Sequence, residues 1–343
     1  MPELTCALGP DSAGTVLSAA LARAQRSIDA AVYEVGPSYS WAFTRAARRG
    51  VRVRLLLDAH VGDGNALTAS RVIDAGGECR VSGSDMAAAH WKLLVIDDRT
   101  LAVGSGNLIW LDAPRDRMGR VPPFSRPLSG TREWWTLSDG ADPLTCRARQ
   151  RFEEAWSRAV RPPPRWRDML VRGLPAAAVG CPQPQVAPLE VEVGASRLRL
   201  VVGARGVQAE LHRMIADADD RIFATTPYVH PRVRSVAQLL DAMESAMRRG
   251  RDVRLLLGER PRACDARRLA LLNFPVRHMD PVRATRGHAK GLVTERAALV
   301  GSANWSAGGL EHNQEAALVA ASPGAVAYFG GAVLRDWGAS TPL

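Results

Sequence analysis

At 343 residues the chain is too long for one small domain and suits two of about 150 to 200 residues each. Hydrophobic residues make up 46% and charged residues 23%, which supports a sizeable core and excludes a chain disordered throughout. The net charge of +10 points to a polyanionic partner, a nucleic acid or an acidic lipid surface.

The first element in chain order is a helix, read from Val16, Leu17, Ala20 and Leu21 at helical spacing. An apolar strand follows at 27–33, then a helix at about 40–49 that stops at Gly50 after two arginines. The run Val53-Arg54-Leu55-Leu56-Leu57 reads as a strand buried on both faces. Beyond a variable segment, strands at 92–97 and 101–104 form a hairpin around Asp98-Arg99. Residues 161–195 contain Pro162-Pro163-Pro164 and a proline- and alanine-rich stretch, and read as a surface connection. The series then repeats: a helix with Leu211, Met214 and Ile215, a strand at 221–228, a helix at 236–249 stopped by Gly250, and Val253-Arg254-Leu255-Leu256-Leu257. A shift of close to 200 residues marks a duplicated domain, so the expected division is 1–160, a connection at 161–195, and 196–343. Alternating strands and helices argue for α/β domains with mixed sheets.

Of the 45 basic residues, 43 are arginine and two are lysine, Lys92 and Lys290. Lysine offers a compact ammonium where arginine presents a wide planar fork. Both lysines lie two residues after a histidine, in His90-Trp91-Lys92 and His288-Ala289-Lys290. Each pair is followed by Gly-Ser-x-Asn, at Gly104-Ser105-Gly106-Asn107 and Gly301-Ser302-Ala303-Asn304. Strand alternation puts the histidine and lysine on one face, and the hairpin returns serine and asparagine to the same end. Histidine can attack phosphorus or donate a proton near neutral pH. The ammonium and the carboxamide suit the non-bridging oxygens of a phosphoryl group, where charge develops.

The two motifs resemble the HKD signature of the phospholipase D superfamily, HxKx4Dx6GSxN, and the duplication resembles that family's architecture along most of the chain. The resemblance implies two homologous α/β/α sandwich domains with mixed sheets, related by a pseudo-twofold axis and sharing one active site. It also implies a phosphodiesterase that needs no metal or cofactor. One histidine forms a phosphohistidine; the other protonates the leaving oxygen and then activates water or an alcohol. His90 is then the candidate nucleophile and His288 the acid–base, an order the sequence leaves open to reversal. By the same resemblance Lys92, Lys290, Asn107 and Asn304 hold the phosphoryl oxygens, and Ser105 and Ser302 support the site. Glu133 and Glu315 orient a motif histidine through its other ring nitrogen. The second motif departs from the pattern: Glu295 stands where aspartate (Asp97 in the first) is expected, and its hairpin is one residue shorter. This implies a tightened turn, not a dead site.

Asn107 and Glu133 are 26 positions apart, against 11 for Asn304 and Glu315. The extra stretch, with Arg115, Arg117 and Arg120, is expected to act as a lid or substrate contact. Trp91 and Trp305, beside the motifs, are candidate stacking surfaces for substrate, with packing between the halves as the alternative. The charge, this loop and the aromatics favour a nucleic-acid backbone as substrate. Phospholipid hydrolysis or phosphatidyl transfer, a small-metabolite diester and a non-catalytic scaffold are the alternatives. The chain lacks a long apolar run, and its first residues lack a leader pattern, so a cytoplasmic location is expected. The five scattered cysteines form no CxxC pair and argue against a disulfide framework or cysteine zinc site. Two copies in one chain make a monomer sufficient.

Overall fold

The computed structural model describes residues 3–82, 87–115, 130–140, 142–162, 189–193, 196–279 and 286–343. Arg117, Arg120 and most of the stretch expected as a connection lie outside them.

The first half runs β1 (Glu3–Gly9), α1 (Ala13–Arg23), β2 (Ser27–Val32), α2 (Pro37–Arg48), β3 (Arg52–Leu57), α3 (Gly62–Asp74), β4 (Glu78–Val81), β5 (Lys92–Ile96), β6 (Thr100–Gly104), β7 (Thr131–Asp139) and α4 (Asp142–Arg158). The second runs β8 (Leu189–Val193), β9 (Ser196–Val202), α5 (Ala204–Asp217), β10 (Arg221–Thr226), α6 (Arg234–Arg248), β11 (Asp252–Leu257), α7 (Ala263–Leu269), β12 (Val276–His278), β13 (Arg286–Gly287), β14 (Gly291–Thr294) and β15 (Ala298–Gly301). It closes with a π turn at Gly308–His312, β16 (Ala316–Ala321), α8 (Pro323–Gly338) and β17 (Thr341–Pro342). Strand β8 begins the second sheet from within 161–195.

The duplication survives strand for strand. The first sheet has the order β1-β7-β6-β5-β2-β3-β4, and the second repeats it as β9-β16-β15-β14-β10-β11-β12, with β8 and β17 added at its edges. In each, two parallel pairings (β2·β3·β4 and β10·β11·β12) adjoin a run of antiparallel ones, so both sheets are mixed. Gly50 and Gly250 end α2 and α6 with φ of +88° and +89°, a conformation that favours a residue without Cβ.

Three buried layers follow from this order. One joins α1–α3 to the first sheet through Leu17, Phe43 and Leu55, and another joins α5–α7 to the second through Leu211, Leu239 and Leu255. The third lies between the halves and draws on both, with Leu93, Trp134 and Phe152 beside Leu200, Val293 and Phe329. The arginine inside each Val-Arg-Leu-Leu-Leu strand serves this middle layer. Arg54 lies 5.4 Å over the Trp156 ring of α4, and Arg254 lies 5.0 Å over the Phe223 ring of β10. Buried Asp29 and half-exposed Glu153 neutralise the Arg54 guanidinium through hydrogen bonds of 2.6–3.0 Å.

Candidate active site

Lys92 opens β5, and Lys290 immediately precedes β14. Because β5 runs antiparallel to β2 and β14 to β10, both lysines lie at the carboxyl ends of the parallel strands. At this end the halves exchange backbone. Gly287 of β13 pairs with Arg132 of β7, and the His288 N–H donates to the Arg132 carbonyl at 3.0 Å. Reciprocally, Ala89 forms a bridge with Gln314, whose N–H donates to the Ala88 carbonyl at 2.9 Å. Each motif histidine is thereby delivered onto the opposite half.

The side chains follow the same exchange. His90 Nδ1 lies 3.0 and 3.1 Å from the carboxylate oxygens of Glu315, and His288 Nδ1 bonds Glu133 Oε1. Both carboxylates are fully buried, and each accepts a second bond from its own half, Glu133 from Ser105 Oγ and Glu315 from Ser302 Oγ. The two serines in turn accept the N–H groups of Trp134 (2.9 Å) and Ala316 (3.0 Å). Asn313 Nδ2 adds a 3.1 Å bond to Glu315. A carboxylate on Nδ1 selects the Nδ1–H tautomer and leaves the Nε2 lone pair free for chemistry.

Two ammonium groups complete the cluster. Lys92 Nζ donates to the His90 carbonyl at 2.7 Å. Lys290 Nζ donates to the His288 carbonyl at 2.6 Å and to the Ser105 carbonyl, across the halves, at 3.1 Å. It also lies 2.8 and 3.0 Å from the ring nitrogens of His288. Burial pushes Lys92 down to about 7, and the Lys290 charge pushes the same way. Burial lowers both histidines as well; for His90 the Glu315 carboxylate opposes this, while for His288 Lys290 reinforces it. Burial alone would raise the Glu133 carboxyl, but Lys290, His288 and Ser105 together hold it at about 2. Each group of one half feels those of the other, so the two imidazole–ammonium pairs form one electrostatic unit. Asn107 and Asn304 are both buried, and among the described residues the Oδ1 of each has no hydrogen-bond partner.

The acidic member of each motif lies elsewhere. Asp97 accepts the N–H groups of Gln25, Arg26 and Ser27, and Glu295 accepts those of Asp219, Asp220 and Arg221. Both clamp the loop entering β2 or β10, at the sheet end away from the histidines. The longer glutamate makes the same clamp across the shorter hairpin.

Two residues escaped the sequence reading. Asp58, fully buried after β3, accepts the Ala89 N–H at 2.6 Å and fixes the chain entering His90; its other oxygen takes the His60 N–H and ring Nδ1. The second half has Gly258 there, and a Cβ on it would meet the Gly287 carbonyl oxygen at 1.8 Å. Asp112 accepts the Asn107 N–H at 2.8 Å, and burial and Glu133 push its carboxyl upward. Asp112, Glu133 and His288 bring donor atoms within 4.8 Å of one another. The Lys290 ammonium supplies this cluster with a cation of the chain's own.

Three expected substrate contacts need correction. Trp91 and Trp305 are each 2% exposed and pack in the core, Trp91 between the halves and Trp305 in the second-half layer, so neither offers a face for stacking. Arg115 is buried with its guanidinium 5.0 Å over the Tyr39 ring, a packing role.

The family model described as the PLD-like domain of cardiolipin synthase matches residues 17–111 and 211–337, one stretch in each half. No curated protein matches the sequence. Among solved structures, phosphatidylserine synthase of Haemophilus influenzae Rd KW20 is 12% identical over 98% of this chain and 87% of its own, with a TM-score of 0.67. Polyphosphate kinase of Porphyromonas gingivalis is 13% identical over 98% of this chain, which spans 50% of that longer one, with a TM-score of 0.60. The phospholipase D family member Nuc of Salmonella typhimurium is 18% identical over 47% of this chain and 98% of its own, with a TM-score of 0.40. With the family model matched over more than half of its length, the chain belongs to the phospholipase D-like family.

Proposed function

We propose that the chain is a phosphodiesterase that acts through a phosphohistidine, with a nucleic-acid strand as substrate. The observation that carries the reaction class is the crossed pair of histidine–glutamate contacts, which engages Nδ1 of each imidazole and leaves Nε2 for the chemistry, beside two buried ammonium groups. His90 Nε2 attacks phosphorus as the P–O bond to the leaving group breaks, and His288 gives that oxygen its proton. Water then loses a proton to His288 and attacks the phosphohistidine, which restores both rings. Lys92 and Lys290 hold the non-bridging oxygens, whose negative charge counters the burial and repulsion that lower both ammonium groups.

The substrate assignment rests on the chain's net charge of +10. A phospholipid is the second reading, favoured by Trp110 and Leu111, which are 44% and 54% exposed only three and four residues after Asn107. Among the described residues no helix is long and apolar enough to cross a membrane.

The test is an activity panel in EDTA over single-stranded DNA, duplex DNA, RNA and mixed phospholipid vesicles, run beside His90→Ala and His288→Ala. We expect oligonucleotide cleavage that both substitutions abolish, with phosphate trapped on His90. Full activity in either variant overturns the shared site. Release of a lipid headgroup without strand cleavage moves the substrate to the second reading.

A further inference from the structure

Among the described residues the two halves repeat each other in fold but not in charge at the mouth of the site. After β10 the chain reads His230-Pro231-Arg232-Val233-Arg234, and after β11 Glu259-Arg260-Pro261-Arg262. The corresponding turns of the first half, Glu34-Val35-Gly36 and Ala59-His60-Val61, contain no arginine. All four arginines are exposed, and among the described residues none of their side chains has a hydrogen-bond or carboxylate partner. Arg99, Arg132, Arg213, Arg286 and Arg296, by contrast, are ion-paired. Fold stability gives no reason for them. Arg232 and Arg234 flank the amino end of α6, where the helix dipole disfavours cations, and that first turn holds no acid.

Both turns border the catalytic cluster. The His230 N–H donates to the Trp305 carbonyl at 2.9 Å, next to Asn304, and Tyr228 hydrogen-bonds Asn304 and Ser306. The exposed His230 ring stacks on Tyr228 at 5.0 Å. Glu259, next to Arg260, pairs with Arg286, two residues before His288. We infer that Arg232, Arg234, Arg260 and Arg262 form a one-sided track that holds the phosphates flanking the scissile bond, so that a single-stranded nucleic acid leaves the site over the second half. Guanidinium groups on two adjacent turns suit successive phosphates, and the exposed imidazole offers a surface on which a base can stack. The track rests on the nucleic-acid reading proposed above.

The experiment measures kcat/KM for a labelled 20-nucleotide single-stranded oligonucleotide between 50 and 300 mM KCl. The enzyme, R232Q/R234Q/R260Q/R262Q and R48Q/R248Q/R267Q/R268Q are compared. The last variant loses equal charge from exposed arginines along α2, α6 and α7, outside the two turns. Removing four phosphate contacts flattens the log–log salt dependence by about three for a single strand. We expect that change in the first variant and less than a third of it in the second. Equal flattening in both, or in neither, overturns the track while leaving the substrate reading intact. Hydrolysis of bis(4-nitrophenyl) phosphate without oligonucleotide cleavage overturns the substrate reading and the track together. Binding to phosphatidylglycerol vesicles in place of the oligonucleotide has the same consequence and assigns the arginines to a lipid surface.

Discussion

At the scale of single residues, the site depends on which atom of each imidazole is engaged. Glu315 occupies Nδ1 of His90 and Glu133 occupies Nδ1 of His288, so the reactive nitrogen is Nε2 in both. A carboxylate there both orients the ring and stabilises its protonated form. Glu315→Gln keeps an oxygen acceptor and removes the charge. The expected outcome is a fall in kcat of about 100-fold or more, the range seen when such a partner is neutralised. The pH profile supplies a sign. Burial already lowers His90, and Glu315 opposes that shift, so losing its charge moves His90 lower still and leaves the ring neutral at more acid pH. The acid limb of kcat/KM should therefore move down in the variant. An unchanged rate, or a limb that moves up, would contradict the role given to Glu315.

At the scale of elements, the halves reach the same geometry by different local means. Asp58 ties down the chain before His90 with a carboxylate, whereas Gly258 lets the backbone before His288 come into direct contact. A methyl at Gly258 would overlap the Gly287 carbonyl oxygen, and both neighbours are backbone that cannot swing aside. Gly258→Ala is thus expected to displace β13 and His288 and to cut turnover by about 10-fold or more. The equal substitution at Gly64, where nothing lies within 4 Å of the added carbon, serves as the control, and parity between the two would refute the contact. Much of this scale was legible in advance. The Leu-Leu-Leu strands, the helices stopped by Gly50 and Gly250 and the two hairpins all carry local patterns that lie where expected. The crossing was not legible, because the spacing from motif to glutamate is the same whether each glutamate serves its own half or the other. Asp58 escaped because its partner is the backbone N–H of Ala89, 31 residues away, and a backbone donor leaves no mark on residue type. The tryptophans misled for a readable reason: alternation that gives His90 and Lys92 one face turns Trp91 to the other, into the core.

At the scale of the molecule, the two halves are not independent bodies that happen to meet at a substrate. The middle core takes residues from both sheets and from α4 and α8, and Trp134 of the first half packs 4.8 Å from Phe329 of the second. Gly291, which opens β14, lies so close to that tryptophan that an added Cβ would meet its ring at 2.3 Å. Neither half could expose this layer without a large apolar surface meeting water. The Trp134 N–H also donates to Ser105 Oγ, which holds Glu133, which holds His288. Interface packing and the catalytic contact are therefore parts of one structure, and calorimetry should show a single unfolding transition whose van't Hoff and measured enthalpies agree. Trp134→Ala removes about 3–5 kcal/mol of buried aromatic packing. If the layer is shared, that loss lowers the midpoint of the whole transition. If each half were stable alone, the substitution would lower one transition and leave a second in place. Two transitions in the wild-type protein, or splitting in the variant, would show that the crossed contacts join two self-sufficient domains, and the coupling argued from the core would fall.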